Sequence, residues 1–281
     1  MATLETTTWY PGDIIVGSAR EHKQYALLIL NQPLKLPAAF CSRIWKNSTY
    51  IVGADGGGNQ VFELNADPSS PSLSVDTIIG DLDSLRPEVM KYWYDSGSEI
   101  IHDKDQYSTD FTKAVRYLKT FHIPKDAELK PSNSESRQAA MQIIKDGSKI
   151  RDIVCLGGLG GRVDQGLSVL HHLYTFQKEP GYPSGRVFLL SNEAITFVLQ
   201  AGKHRIQVRE GSSNLELGKH VGIIPLKEPS VITTNGLEWD VTDWPTEFGG
   251  QISTSNHVRE DWVTIETSKD VLFTIDLDIS L

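Results

Sequence analysis

Tyr50-Ile51-Val52-Gly53-Ala54-Asp55-Gly56-Gly57-Gly58-Asn59 carries the signature of the chain's architecture. Its apolar start suits a strand buried on both faces of a parallel sheet, and it stops at an acid followed by glycines. The pattern recurs. Thr77–Ile79 runs into Gly80-Asp81-Leu82-Asp83-Ser84, and Ile100–Ile101 leads to Asp103, Asp105 and Thr109-Asp110. Ile153–Leu156 runs into Gly157-Gly158-Leu159-Gly160-Gly161-Arg162-Val163-Asp164. Tyr25–Leu30 and Val187–Leu190 are further apolar runs of strand length. Between them, Phe111, Ala114, Val115 and Leu118 fall at i, i+3, i+4, i+7, and Leu167, Leu170, His171 and Tyr174 repeat that spacing. A third helix is predicted over 86–94, with Pro87 in its first turn. Alternating strands and helices specify an α/β domain with a mainly parallel sheet.

Past Glu193 the texture changes. Ile195–Leu199, His204–Val208, His220–Ile224, Val231–Thr233, Val263–Glu266 and Leu272–Leu277 are short strand-like runs separated by turn residues. They predict an all-β sandwich or barrel-like unit. The chain of 281 residues is therefore divided into an α/β domain over 1–195 and a β-sandwich over 196–281. Residues 124–148, with Pro131-Ser132-Asn133-Ser134-Glu135-Ser136, break the α/β rhythm and are read as an exposed insertion, partly helical near Gln138–Ile144.

Composition narrows the function. The net charge is −9, which gives no basic footprint for nucleic acid or anionic membrane. No run reaches the length of a membrane span, and residues 1–13 lack the pattern of a signal peptide. Cys41 and Cys155 are too few for a disulfide framework, and Cys155 sits in a core strand. A cytoplasmic protein is expected.

In a parallel sheet the C-terminal strand ends share one edge, so the four acid-bearing loops converge there. Clustered carboxylates repel unless a cation neutralises them, and Mg²⁺ takes oxygen ligands together with substrate phosphates. Glycine runs let backbone N–H groups approach phosphate, and Arg162 can bind it as a planar fork. The set points to a Mg²⁺–nucleotide site for phosphoryl-type transfer. No Gly-x-x-x-x-Gly-Lys-Ser/Thr stretch occurs and no Gly-x-Gly-x-x-Gly opens the first helix, which disfavours P-loop kinases and dinucleotide enzymes. Taken singly, each acid also reads as turn or helix-cap chemistry. A Mg²⁺-dependent phosphate-ester hydrolase and a non-catalytic binding module stay open. Adjacent His171 and His172 lack metal-site spacing, one facing the core and one solvent. In the second domain Trp239 reads as a stacking platform for a flat cation or as a structural tryptophan, and Ser253–Asn256 alone reads as a loop.

The ordered set Ala54-Asp55-Gly56-Gly57, Gly80-Asp81-Leu82-Asp83-Ser84, Ser108-Thr109-Asp110-Phe111-Thr112-Lys113, Gly157-Gly158 through Gly161-Arg162-Val163-Asp164-Gln165, Thr233 to Trp239 and Ser253-Thr254-Ser255-Asn256 resembles the thiamine pyrophosphokinases, of the fungal type. The resemblance implies a homodimer with active sites between subunits, and the reaction of ATP with thiamine to AMP and thiamine diphosphate. It places Mg²⁺ on Asp81, Asp83 and Asp110, with Arg162 beside them in catalysis. It places ATP against Asp55, Gly56, Gly57, Asn59, Gln106, Thr109, Gly158, Gly161, Arg162 and Asp164. It places thiamine against Trp239, Ser253, Thr254, Ser255 and Asn256. Two positions depart from the family pattern. Leu82 replaces a phenylalanine, and Tyr107 stands where many members carry an aspartate.

Overall fold

The computed structural model describes residues 5–17, 25–66, 72–120, 152–182, 185–211 and 215–279. The predicted insertion lies outside these residues. The chain clusters into two compact units that interleave in sequence.

The first unit comprises the described residues within 18–172 and 184–192. Its strands are β2 (Tyr25–Ile29), β3 (Ser48–Ala54), β4 (Thr77–Gly80), β5 (Glu99–His102), β6 (Ile153–Leu156) and β7 (Val187–Leu190). Every pairing among them is parallel, in the order β7-β6-β2-β3-β4-β5. Strands β2, β4, β6 and β7 are buried along their whole length, which is why they read as unbroken apolar runs. The predicted helices appear as α4 (Pro87–Asp95), α5 (Asp110–Thr120) and α6 (Val163–Phe176). On α6 the fully buried side chain is Leu173, off the predicted stripe, while Leu167 is exposed. Two further helices connect the strands, α2 (Ala38–Asn47) and α3 (Gly57–Asn65). The chain moves from β2 outward to β5 and then returns to the other side of β2 for β6. That reversal is the topological switch point, where ligands of such sheets bind.

The second unit comprises the described residues within 1–17, 173–183 and 193–281. Strands β1 (Thr7–Trp9), β9 (Gly202–Gln207), β11 (Ser230–Asn235), β12 (Trp244–Thr246) and β14 (Trp262–Thr267) form one sheet in the order β1-β9-β14-β11-β12. Strands β8 (Ala194–Leu199), β10 (Leu217–Ile224), β13 (Ser253–His257) and β15 (Val271–Leu277) follow the order β13-β10-β15-β8, each pair antiparallel. The two layers meet where Trp9 of β1 stacks on Phe197 of β8, with centroids 4.6 Å apart, and Phe197 in turn meets Phe273 of β15. Trp9 is fully buried and its indole N–H donates to Nδ1 of His204 at 3.0 Å. A short helix α1 (Gly12–Val16) follows β1. The opening segment thus belongs with the β-rich unit, because β1 pairs in parallel with β9, and a single cut between 195 and 196 does not describe the packing. Ser253–Asn256 is strand, not loop. Pro245 is tolerated in β12 because that strand lies at a sheet edge.

Candidate functional site

In the α/β unit, Asp55 directly follows β3, Asp81 directly follows β4, and α5 begins at Asp110. One carboxylate oxygen from each of Asp55, Asp81 and Asp110 lies within 4.8 Å of the others. Gly80 makes this approach possible. A Cβ there would stand 2.6 Å from Cβ of Asp55 and 3.0 Å from Oδ1 of Asp110. Gly57 plays the same part at the start of α3, where a Cβ would lie 2.2 Å from the Ile29 carbonyl oxygen.

The carboxylate of Asp55 also builds the loop beside it. It accepts the backbone N–H groups of Ser84 at 3.0 Å and Leu85 at 3.1 Å. Burial pushes its carboxyl up to about 6, with the charges of Asp110 and Asp83 adding to the rise and the Ser84 hydrogen bonds opposing it. Asn59, also buried, donates to the Ser84 carbonyl at 2.7 Å and accepts from Arg86 N–H at 3.1 Å. Both ends of that amide therefore brace the segment from Ser84 to Arg86. Asp83 stands apart from the group of three. It is exposed and accepts the Ser84 hydroxyl at 2.9 Å.

A cation already neighbours the acids. Lys113, one helical turn after Asp110, has no exposed side-chain surface; its Nζ lies 3.1 Å from Asp110 Oδ1 and 3.8 Å from Asp81 Oδ2. Burial works against its charge, but the hydrogen bond and charge of Asp110, then Asp81 and Asp103, outweigh it and hold its pKa above the usual lysine value. Sequence reasoning assigned Lys113 no role. Its i,i+3 spacing from Asp110 was the available signal.

Around this cluster, Gln106 and Thr109 are exposed, and Tyr107 is fully so. The Thr109 hydroxyl lies 3.1 Å from Nε2 of His172, whose pKa is lowered by burial and by His171. His171 is exposed and His172 half-buried. In the loop after β6, Gly158 is buried and Gly161 exposed. Arg162 and Asp164 form a two-pronged exposed ion pair, at 3.1 and 2.6 Å, that raises the arginine pKa and lowers the aspartate's.

In the β-rich unit the turn after β11 is tied from within. Asp240 accepts the Thr234 hydroxyl at 2.9 Å, Gly236 N–H at 2.9 Å and Leu237 N–H at 3.2 Å. Trp239, at the tip of this turn, keeps 57% of its surface exposed. Asn256 fastens it. That buried amide accepts from Trp239 N–H at 3.1 Å and His257 N–H at 2.9 Å, and donates to the Trp239 carbonyl at 2.9 Å. Ser253 is half-buried, while Thr254 and Ser255 are exposed.

Residues 41–181 match the family described as thiamin pyrophosphokinase, catalytic domain, and residues 203–272 match thiamin pyrophosphokinase, vitamin B1 binding domain. The chain belongs to the thiamine pyrophosphokinase family. Thiamine pyrophosphokinase 3 of Oryza sativa subsp. japonica is 35% identical over 267 residues, covering 90% of this chain and 87% of the relative. The thiamin pyrophosphokinase of Candida albicans has a solved structure with a TM-score of 0.76 and 27% identity, covering 99% of this chain and 95% of that one. The yeast thiamin pyrophosphokinase gives 0.78 and 26%, covering 98% and 93%. As a thiamine pyrophosphokinase the chain is an enzyme of the transferase class, a thiamine diphosphokinase.

Proposed function

We propose that the protein transfers the diphosphoryl group of ATP to the hydroxyl of thiamine, giving thiamine diphosphate and AMP with Mg²⁺. The observation that carries this reading is the convergence of Asp55, Asp81 and Asp110 at the C-terminal edge of a parallel sheet, flanked by glycine turns. An all-oxygen donor set suits Mg²⁺. Asp55, Asp81 and Asp110 would hold it, with exposed Asp83 as a further donor toward the phosphates. Bound there, Mg²⁺ supplies neutralisation of phosphate charge.

The chain's own residues then bind and orient. The exposed face of Trp239 stacks on the flat cationic ring system of thiamine, with Ser253, Thr254 and Ser255 as polar neighbours. Asn256 acts indirectly, by fixing the Trp239 turn. Gln106, Thr109 and the backbone around Gly56, Gly57, Gly158 and Gly161 face the nucleotide. Arg162 exchanges Asp164 for phosphate oxygens, a fork-to-fork replacement. The hydroxyl oxygen forms a bond to the β-phosphorus as the bond from that phosphorus to the α–β bridging oxygen breaks, AMP leaves with that oxygen, and the hydroxyl proton is released. Positioning and charge compensation dominate such a step. The reading extends to a cytoplasmic homodimer with active sites between subunits. Buried free Cys41 and Cys155 suit a reducing compartment, no helix among the described residues is long and apolar enough to cross a membrane, and exposed Val163 and Leu167 offer apolar surface for a second copy to cover.

The test mixes protein, ATP, Mg²⁺ and thiamine and quantifies AMP, ADP and thiamine diphosphate. Equal rises of AMP and thiamine diphosphate are expected, and Asp81→Ala should abolish both. Phosphate or ADP released without thiamine would instead make the protein a hydrolase.

A further inference from the structure

Away from the acid cluster, the β-rich unit carries a second constellation of titratable side chains. Strands β10 and β13 set His220 and His257 directly opposite one another. Such cross-strand partners share one face, and here the ring centroids are 5.1 Å apart. A carboxylate holds each ring from behind. Nδ1 of His220 donates to Oδ2 of Asp276 at 2.6 Å, and Oδ1 of Asp276 accepts the His220 backbone N–H at 2.8 Å. Nδ1 of His257 donates to Oε2 of Glu238, whose other oxygen pairs with Arg259.

A neutral imidazole that donates its Nδ1–H presents Nε2 as a bare lone pair. Among the described residues neither Nε2 has a hydrogen-bonding partner. A carboxylate behind the ring is also the arrangement that orients metal-binding histidines. Zn²⁺ bound at about 2.0–2.1 Å by two nitrogens in tetrahedral geometry sets the two ring centroids about 5 Å apart, which is the separation found. Two negative carboxylates against the one guanidinium of Arg259 leave the surroundings favourable to a cation.

We infer that His220 and His257, braced by Asp276 and Glu238, form a second cation site, selective for a borderline-soft divalent ion such as Zn²⁺. Solvent completes its coordination. Imidazole nitrogens suit Zn²⁺, whereas the all-oxygen acid cluster suits Mg²⁺, so the two sites separate by ligand softness. The site has a built-in reporter, since the His257 ring lies 5.1 Å from the Trp239 ring.

The test titrates Zn²⁺ into the full chain by calorimetry in excess Mg²⁺, which occupies the oxygen site, and repeats the titration on His220→Gln, His257→Gln and Asp276→Asn. Each histidine change should weaken Zn²⁺ binding at least about tenfold, and Asp276→Asn about tenfold, the usual range for an outer-shell partner. Zn²⁺ should also change the tryptophan emission of the unaltered chain but not of Trp239→Phe. Absence of Zn²⁺ binding by the unaltered chain, or equal affinity in either histidine variant, overturns the inference. Metal-free melting curves establish that the variants fold. Should one fail to, Zn²⁺-induced shifts of the His220 and His257 side-chain resonances in the unaltered chain decide, and unmoved resonances refute the site.

Discussion

Replacing Lys113 by methionine removes a positive charge that already neutralises the acid cluster while keeping an unbranched apolar stem in its slot. At an effective dielectric constant of about 20, Nζ gains roughly 5 kcal/mol from Asp110 at 3.1 Å and roughly 4 kcal/mol from Asp81 at 3.8 Å. Against this stands a desolvation cost of several kcal/mol for a fully buried ammonium. Asp81 and Asp110 keep 21% and 29% of their side-chain surface in water, so they are partly resolvated once the lysine is gone. The net loss should be about 3 kcal/mol, at the low end of what removing one partner of a buried pair costs. For a chain of this size that lowers the melting temperature by roughly 6–12 °C. Circular dichroism melts in chelator read the loss directly, and Mg²⁺ should stabilise Lys113→Met more than the unaltered protein, because it supplies the missing countercharge. The pH dependence has a definite sign. The folded pKa of Lys113 is raised, so its contribution is complete below the ordinary lysine value and disappears as pH rises through the folded one. The alkaline loss should be absent in Lys113→Met. A melting temperature within about 1 °C of the unaltered protein in chelator, or an identical Mg²⁺ increment in both, would refute the countercharge argument.

Four other outcomes are expected. Trp239→Ala should raise KM for thiamine by one to two orders of magnitude, from about 1–3 kcal/mol of lost ring contact, and leave KM for ATP nearly unchanged in steady-state assays. Asn256→Ala leaves backbone groups of the Trp239 turn unpaired, costing about 1–3 kcal/mol, and should reproduce the thiamine defect without touching Trp239 itself. Gly80→Ala should cost about 1–3 kcal/mol by overpacking and raise the Mg²⁺ concentration needed for half-maximal turnover, since the new Cβ pushes Asp55 from Asp110. The Asp55 carboxyl, raised to about 6 by burial, binds its proton more tightly folded than unfolded. In chelator it should therefore remove roughly 3 kcal/mol of stability as pH rises from about 4 to about 6, read as the difference between urea titrations of the unaltered protein and Asp55→Asn.

The alternation of buried apolar runs with amphipathic stretches made the parallel sheet legible, because strands buried on both faces tolerate little else. The glycine run hid α3, since glycine is a poor helix former and signals a turn. In α2 the buried stripe of Phe40, Cys41, Ile44 and Trp45 was available but sat next to polar residues that diluted it. Strand β13 carries Ser, Thr, Ser, Asn and His, a string whose hydrogen-bonding side chains equally suit a loop. The acids showed their convergence through strand ends alone. Which of them actually meet did not follow, because membership depends on side-chain direction. Asp55 turns into the cluster while Asp83, two residues after Asp81, turns out. The backbone clamps made by Asn59 and Asn256 were not legible either, because a short amide that both donates and accepts suits a backbone partner and a ligand equally.

The strand Thr7–Trp9 completes a sheet whose other members come from beyond residue 200, so Thr7 pairs with His204 and Trp9 with Ile206 across most of the chain's length. During synthesis Trp9 must wait for roughly two hundred residues before His204 and Phe197 exist to receive it. The α/β unit can condense in that interval, but the β-rich unit closes only by a contact of very long sequence separation, the kind that slows folding and leaves an apolar segment open to capture. A gene fragment covering 196–281 would lack that strand and present β9 as a bare edge, whereas supplying a peptide over residues 5–17 in trans should restore its solubility.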